Sequence, residues 1–433
     1  MWKKNYYLFA IITVLLCCKK TEEETIYDST GVATKLPHVW KSSISDNGEL
    51  TQVSVNVNIQ TDDKNFIVGG GKDGEDIKLM KFNSDNGSKI WEWSDRLSYL
   101  SAPNIKDPIS IEPNQFVLND NKLFFSLNTS SYCLDINSGK TFWKNKVLIS
   151  RSDYCHNIEN KYFSFGSELA PNGAFTSNIG NYVYEGSLLD ADIVKRVLKP
   201  NYIFESTYQT NTAINGLIRA CLPYIYQTDT LLSVLFIDPN IGGSTYRTVA
   251  GLFNYSNKKW IYERKILNPP SQLSNITHAI LVRDRFYHSS GKSLHCNNIL
   301  TGESSWIQYF DQGFGSSRFI IEGDRMYAAC EDRILYCINI NSGQIIWKEQ
   351  NAGGCSPVSY LNGVLYFLGG DGKLHAVDAN TGKHIWKLSS PDVTKNSGAF
   401  FYGLCATVAG KNGQKGRVIG TTGLNAYCYE AVR

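Results

Sequence analysis

Eleven cysteines and seven histidines are the side chains of this 433-residue chain best equipped for chemistry near neutral pH. Thiolates and imidazoles bind metals, and either can act as a nucleophile or a base. Two of the cysteines, Cys17 and Cys18, are adjacent near the start, and the other nine are scattered. An odd number cannot all pair within one chain, so a complete disulfide framework is excluded. Cys133, Cys296, Cys337 and Cys428 recur at one place in a repeated segment, where a further copy has Ala376. Exchange with alanine marks a small packing slot, which a free thiol fills as a compact hydrophobe. Cys155, Cys221, Cys330, Cys355 and Cys405 lie off this pattern and leave room for one bridge.

The histidines behave in the same way. His38 and His384 are repeat equivalents, as are His295 and His375, and no set has the spacing of metal ligands. A catalytic side chain occurs once, whereas recurrence is what an architecture produces. Gly69-Gly70-Gly71 and Gly369-Gly370-Asp371-Gly372 have the glycine density of phosphate loops. Each lies between strand-like runs without the helix whose N-terminus cradles phosphate, so both are expected to be hairpin turns.

The composition says what kind of element holds these residues. Tyr (25), Phe (20) and Trp (9) are abundant beside 36 Gly, while charged residues are only 19%. Aromatics and glycine in this proportion suit strands and tight turns. The net charge of +3 gives no broad electrostatic footprint for nucleic acid.

The repeat is legible along the chain. Residues 374–386 (LHAVDANTGKHIW) and 336–347 (YCININSGQIIW) define it, and 132–143 (YCLDINSGKTFW) repeats it. His295 to Trp306 is a fourth copy, Asn83 to Trp91 a fifth, and Asn257 with Trp260 a looser sixth without glycine. In the copies that keep the glycine, a strand ends at Asp or Asn, a turn follows with Gly at its tight position, and a second strand carries the Trp. Trp40, Trp91, Trp143, Trp260, Trp306, Trp347 and Trp386 are assigned as blade-docking residues, with Gly139, Gly302, Gly343 and Gly382 as their turn glycines. The Trp spacings are 51, 52, 117, 46, 41 and 39, so the long gap holds two units, one of which has lost its Trp. A period of about 40–50 residues built of short strands predicts an all-β, eight-bladed β-propeller. The last segment, Ala426–Glu430, lacks a turn partner, while His38-Val39-Trp40-Lys41 near the start matches His384-Ile385-Trp386-Lys387. The N-terminal strand is therefore expected to complete the last blade and close the ring, removing two open edges.

The N-terminus reads as an address. Lys3 and Lys4 precede an apolar run from Tyr6 to Leu16, too short to span a bilayer but suited to a secretory signal. Cys17-Cys18 follows, then Lys19-Lys20-Thr21 and three glutamates. This resembles a bacterial lipoprotein signal with Cys18 as the lipid attachment residue and Cys17 in the small position before it; Cys17 as the modified residue is the alternative. The expected organisation is a signal over 1–18, a flexible tether over 19–36 and one propeller over 37–433.

The motif at Ala376, Asp378, Thr381-Gly382-Lys383 and Trp386 resembles the repeats of the pyrroloquinoline-quinone-type propeller family. In that family the quinoprotein dehydrogenases hold quinone and Ca²⁺ beside a disulfide between adjacent cysteines, and here the only adjacent pair lies in the signal. A second branch consists of eight-bladed lipoproteins without catalysis, including the scaffold lipoprotein of the barrel-assembly machinery. The resemblance implies a lipid-anchored, monomeric scaffold of the bacterial outer membrane with an envelope protein as partner, no nucleic acid and no cofactor. The alternatives are a quinoprotein-like oxidoreductase and a glycan-binding propeller. The loops of residues 166–220 and the basic loop Lys411–Arg417 are the expected places for a partner, since rim loops carry recognition.

Overall fold

The computed structural model describes residues 24–433 apart from 46–47, 54, 56–57, 62–63, 72–76, 99–104, 108, 110, 112–115, 128–129, 147–148, 151–155, 169–180, 191–193, 201–216, 240–245, 268–277, 315–318, 351–355, 394–398 and 412. Strands are the only regular elements among the described residues, and they form eight sheets in chain order. Blade 1 ends in the strand Lys89–Trp93, blade 2 in Thr141–Lys146, blade 3 in Val194–Leu198 and blade 4 in Lys259–Ile266. Blades 5, 6 and 7 end in Ser304–Tyr309, Ile345–Gln350 and His384–Ser389, and blade 8 contains Cys405–Val408, Arg417–Thr421 and Asn425–Glu430.

First strands of neighbouring blades lie against one another, Ser359–Leu361 against Cys405–Val408 and Leu217–Tyr226 against Ala279–Val282. They therefore surround the axis, and the last strand of each blade lies at the perimeter. The core is a series of apolar layers between successive blades. Tyr366, Leu374, Trp386, Val418 and Tyr427 form the layer between blades 7 and 8, and Met326, Ile338, Trp306 and Phe319 belong to that between blades 5 and 6.

Three N-terminal strands complete the architecture: β1 (Ile26–Tyr27), β2 (Ala33–Lys35) and β3 (Trp40–Ser43). β3 pairs antiparallel with Asn425–Glu430, with Trp40 opposite Cys428 and Ser43 opposite Asn425. The chain thus forms an eight-bladed propeller whose last blade is closed by the N-terminal strand, as the half-units at both ends predict. β1 and β2 correct the reading of residues 19–36 as one flexible tether. They form a hairpin, and β2 adds in parallel to the perimeter strand of blade 7, with Ala33 opposite Trp386. Asp28 caps the turn by accepting from the amides of Thr30 and Val32, and Ala33 and Leu36 pack on the blade 7–8 layer. Two apolar residues three apart, Ala33 and Leu36, are a weak periodic signal, which is why composition alone suggests a linker.

The Gly69–Gly71 run is a second correction. These residues lie inside the strand Phe66–Gly71, paired with Lys78–Phe82, rather than in a turn. A Cβ on Gly70 would stand 3.3 Å from the Ile44 carbonyl, so here glycine serves close approach of backbones. The second run does form a turn, with the amide of Gly372 bonded to the carbonyl of Gly369 at 2.9 Å.

Candidate functional site

The repeat residues assemble at the blade junctions, and one geometry recurs. Asn339 ends a strand of blade 6, its side chain accepts the amides of Asn341 and Ser342, and the turn closes with Gly343 at φ 73°. The ring of Trp306, from blade 5, lies on that turn: a Cβ on Gly343 would come within 2.7 Å of it. The indole N–H donates to the carbonyl of Ile340 at 2.7 Å, the residue just after Asn339. Glycine is required twice over, by the positive φ and by the ring above it. The same bond runs from Trp91 to Ile136 at 2.9 Å, Trp347 to Ala379 at 3.1 Å, Trp143 to Leu188 at 3.4 Å, and Trp40 to Ser84 at 2.9 Å. Gly139 and Gly382 stand beneath Trp91 and Trp347. Trp386 packs against Tyr366 and Tyr429 at the junction of blades 7 and 8.

Trp260 does not occupy this position. Its ring folds onto its own blade, 5.2 Å from Phe253 and over Gly251. Tyr262 takes the docking place: it pairs with Leu252, its hydroxyl donates to the Ile299 carbonyl at 2.9 Å, and Gly302 lies beneath it and the stem of Lys265. The signal was present in the sequence. In the well-formed copies the ring falls eight residues after the strand-ending Asp or Asn, and eight after Asn254 is Tyr262, not Trp260.

Blade 3 is the unit without a ring. At its docking position Lys195 pairs with Glu185 and is exposed. Its junction with blade 4 carries a polar cluster instead. The Tyr255 hydroxyl donates to Glu185, Lys161 lies 3.3 Å from Glu185 and from the Tyr255 oxygen, and the Lys258 ammonium sits 3.3 Å from the Tyr255 ring centroid. Burial works to raise the Glu185 pKa, but the bonds from Tyr255 and Lys161 outweigh it and hold the carboxyl below its usual range. Beneath the cluster the layer remains apolar, with Phe163, Phe165 and Val183 against Val234 and Phe236. Within the 166–220 region, Asn172–Phe175 and Tyr208–Asn211 lie outside the described residues, as does Cys18.

Cys133, Cys296, Cys337 and Cys428 are fully buried, and neither these nor the other described cysteines, Cys221, Cys330 and Cys405, form a disulfide with one another. Burial pushes the thiols of Cys133 and Cys337 up to about 11, away from the thiolate form that nucleophilic or metal chemistry needs. Cys155 and Cys355 lie outside the described residues.

The histidines of blade 7 form a chain of hydrogen bonds. His375 bonds to Asp371 at 3.0 Å through Nε2 and to His384 at 3.1 Å through Nδ1, and His384 faces Glu349 of blade 6 at 3.6 Å. With the carboxylate of Asp371 accepting from Nε2, the tautomers are set in series, so His384 donates to His375. Burial lowers both imidazoles, His384 to about 4, and keeps the pair neutral. The repeat explains the arrangement: Tyr336, the equivalent of His375, donates to Asp332 at 2.6 Å, as Tyr132 does to Asp107 at 2.9 Å and Tyr427 to Asp392 at 2.5 Å. An aspartate anchoring the ring on the third strand is thus a structural device used in four blades. Among the described residues, no three His, Cys, Asp or Glu side chains gather as metal ligands, and no helix is long and apolar enough to cross a membrane.

A crevice of about 490 Å³ opens at the perimeter where the ring closes. The N-terminal hairpin forms one wall through Tyr27 and Ala33, blade 7 another through Ile385 and Trp386, and blade 8 a third through Lys415 and Glu430. The basic loop singled out in the sequence therefore stands beside the hairpin.

The geometry defines a propeller with pyrroloquinoline-quinone-type repeats. Residues 257–415, over a third of the chain, match the family described as outer membrane protein assembly factor BamB. Curated protein sequences gave no match. Among solved structures, a europium-containing methanol dehydrogenase is similar with TM-score 0.57 and 11% identity, over 91% of this chain and 96% of that one. A quinohemoprotein alcohol dehydrogenase from Pseudomonas putida gives TM-score 0.57 and 10% identity, over 91% and 76%. BamB from Moraxella catarrhalis gives 0.48 and 14% over 81% and 89%, too distant to add to the fold. At these identities the likeness is one of fold.

Proposed function

We propose that this protein is a lipid-anchored scaffold of the bacterial outer membrane, a non-catalytic propeller that binds an envelope protein. The match of residues 257–415 to the family described as an outer membrane assembly factor is the observation that carries this reading. It is supported by the use of the potentially reactive side chains. The repeated cysteines fill packing slots, and His375 of blade 7 holds the same place as tyrosines in other blades. On this reading residues 1–18 are the signal, Cys18 carries the lipid, and the propeller begins at residue 37.

Two measurements test it. Mass spectrometry of the N-terminal peptide from membranes should find a diacylglyceryl group on Cys18, and cross-linking in intact membranes should yield a defined complex with one envelope protein. The purified protein, given quinone and Ca²⁺, should neither take up quinone stoichiometrically nor oxidise alcohols or sugars with a dye acceptor. Stoichiometric quinone with turnover would overturn the scaffold reading.

A further inference from the structure

The N-terminal hairpin shortens the connection between propeller and anchor and fixes where it leaves the ring. Were residues 19–36 all linker, the chain from Cys18 to Trp40 could reach about 73–79 Å, at about 3.3–3.6 Å per residue, and the ring could take any orientation. With β2 paired to blade 7 and β1 beginning at Ile26, the eight residues from Cys18 to Ile26 can span about 29 Å at most. That is short beside a ring of eight blades, and it starts from one point on the perimeter.

The surface at that point fits a bilayer. Ile26 and Tyr27 of β1 are 52% and 63% exposed, and Val39, beside the same crevice, is 39% exposed. An aliphatic residue next to a tyrosine, presented on an edge, is the pairing that settles at the headgroup boundary. Charges of both signs surround them, Lys35 and Lys415 with Glu24, Asp28 and Glu430, all exposed. The contact is therefore apolar in character and does not require anionic lipid.

We infer that the propeller stands on its rim, with the hairpin and the blade 7–8 perimeter against the membrane and blade 3, on the opposite side of the ring, farthest from it. Both flat faces are then turned sideways and open to a partner lying along the membrane. This inference rests on the lipid anchor proposed above.

The test uses the lipidated full chain in phosphatidylcholine vesicles carrying acceptor-labelled lipid. Single cysteines replace Ser29, exposed in the hairpin turn, or Lys195 for donor labelling, in a background where Cys155 and Cys355 are serine. Energy transfer to lipid should be several-fold stronger from position 29 than from position 195 and unchanged at high salt. Ala33→Asp places a carboxylate at a buried site on the hairpin and should undock it; the two positions should then converge to within about twofold while the propeller melts as before. Equal transfer from both positions in the unaltered hairpin, with lipid on Cys18 shown by mass, overturns the orientation alone. Absence of lipid on Cys18 overturns the anchor and the orientation together.

Discussion

The junction between blades 5 and 6 and that between blades 3 and 4 solve one problem by different means. At the first, the Trp306 ring covers the Gly343 turn and its N–H reaches the Ile340 carbonyl. At the second, the ring is replaced by the exposed Lys195, and Glu185, Lys161, Tyr255 and Lys258 close the perimeter through charge and one phenol. An indole removes apolar area and satisfies a carbonyl in one side chain, with little rotamer entropy to lose. Two lysines must be held in place in part-exposed positions, where ion pairs are worth about 0–1 kcal/mol. The layer beneath is apolar in both, so the ring survives the loss of one docking residue. The difference teaches that docking rings set the perimeter spacing and strength of a junction, while the inner layer sets that the junction exists.

The comparison can be broken most severely at the closure. Deleting residues 37–43 removes β3 and exposes the edge of Asn425–Glu430, and the protein should aggregate or lose its cooperative melt. A monomer with an unchanged melting curve would show that closure contributes nothing. Next, Trp306→Ala should cost about 3–5 kcal/mol in reversible urea unfolding, as truncation of a buried aromatic. Glu185→Gln at the polar junction should cost only about 1 kcal/mol or less, with most of that lost in high salt. Equal costs would erase the distinction between the two junctions.

Blade 4 sharpens it further. Tyr262→Phe removes the bond to Ile299 and should cost about 1 kcal/mol, and Tyr262→Ala should cost more than Trp260→Ala if the register of eight decides docking. The reverse ranking would return the docking role to Trp260. The last effect concerns pH. The folded pKa of His384 is depressed to about 4 against an ordinary 6.5, so the unfolded chain binds the extra proton between these values. Stability from this group is complete above pH 6.5 and falls as pH drops toward 4, by up to about 3 kcal/mol if the whole shift is realised. His384→Asn should flatten that slope in melts between pH 4 and 7, while Glu185 affects stability only as pH falls below about 4.5, where the unfolded carboxyl titrates.

Much of this was legible because a repeat states its rule several times. Asp378, Gly382 and Trp386 recur at fixed offsets, and a half-unit at each end fixes both the blade count and the closure. The misreadings arose where the rule is stated weakly. Trp260 attracted the docking role by residue type, although the offset from Asn254 pointed to Tyr262. The Gly69–Gly71 run has turn composition, but whether glycine marks a turn or a close approach depends on what faces it, here the Ile44 carbonyl.

The sequence by itself determined the all-β class, the eight units, the closing strand and the burial of the repeated cysteines. These follow from local periodicity and from residue exchange between copies, and neither needs a distant contact to be known. Only the tertiary structure decided that Glu185 and Tyr255, seventy residues apart, share a hydrogen bond, and that His384 faces Glu349 across a blade boundary. It also decided that β2 docks on blade 7, because Ala33 finds its partner in Trp386 more than three hundred residues away. Such pairings depend on which surfaces the closed ring brings together, and that geometry is written in no single segment.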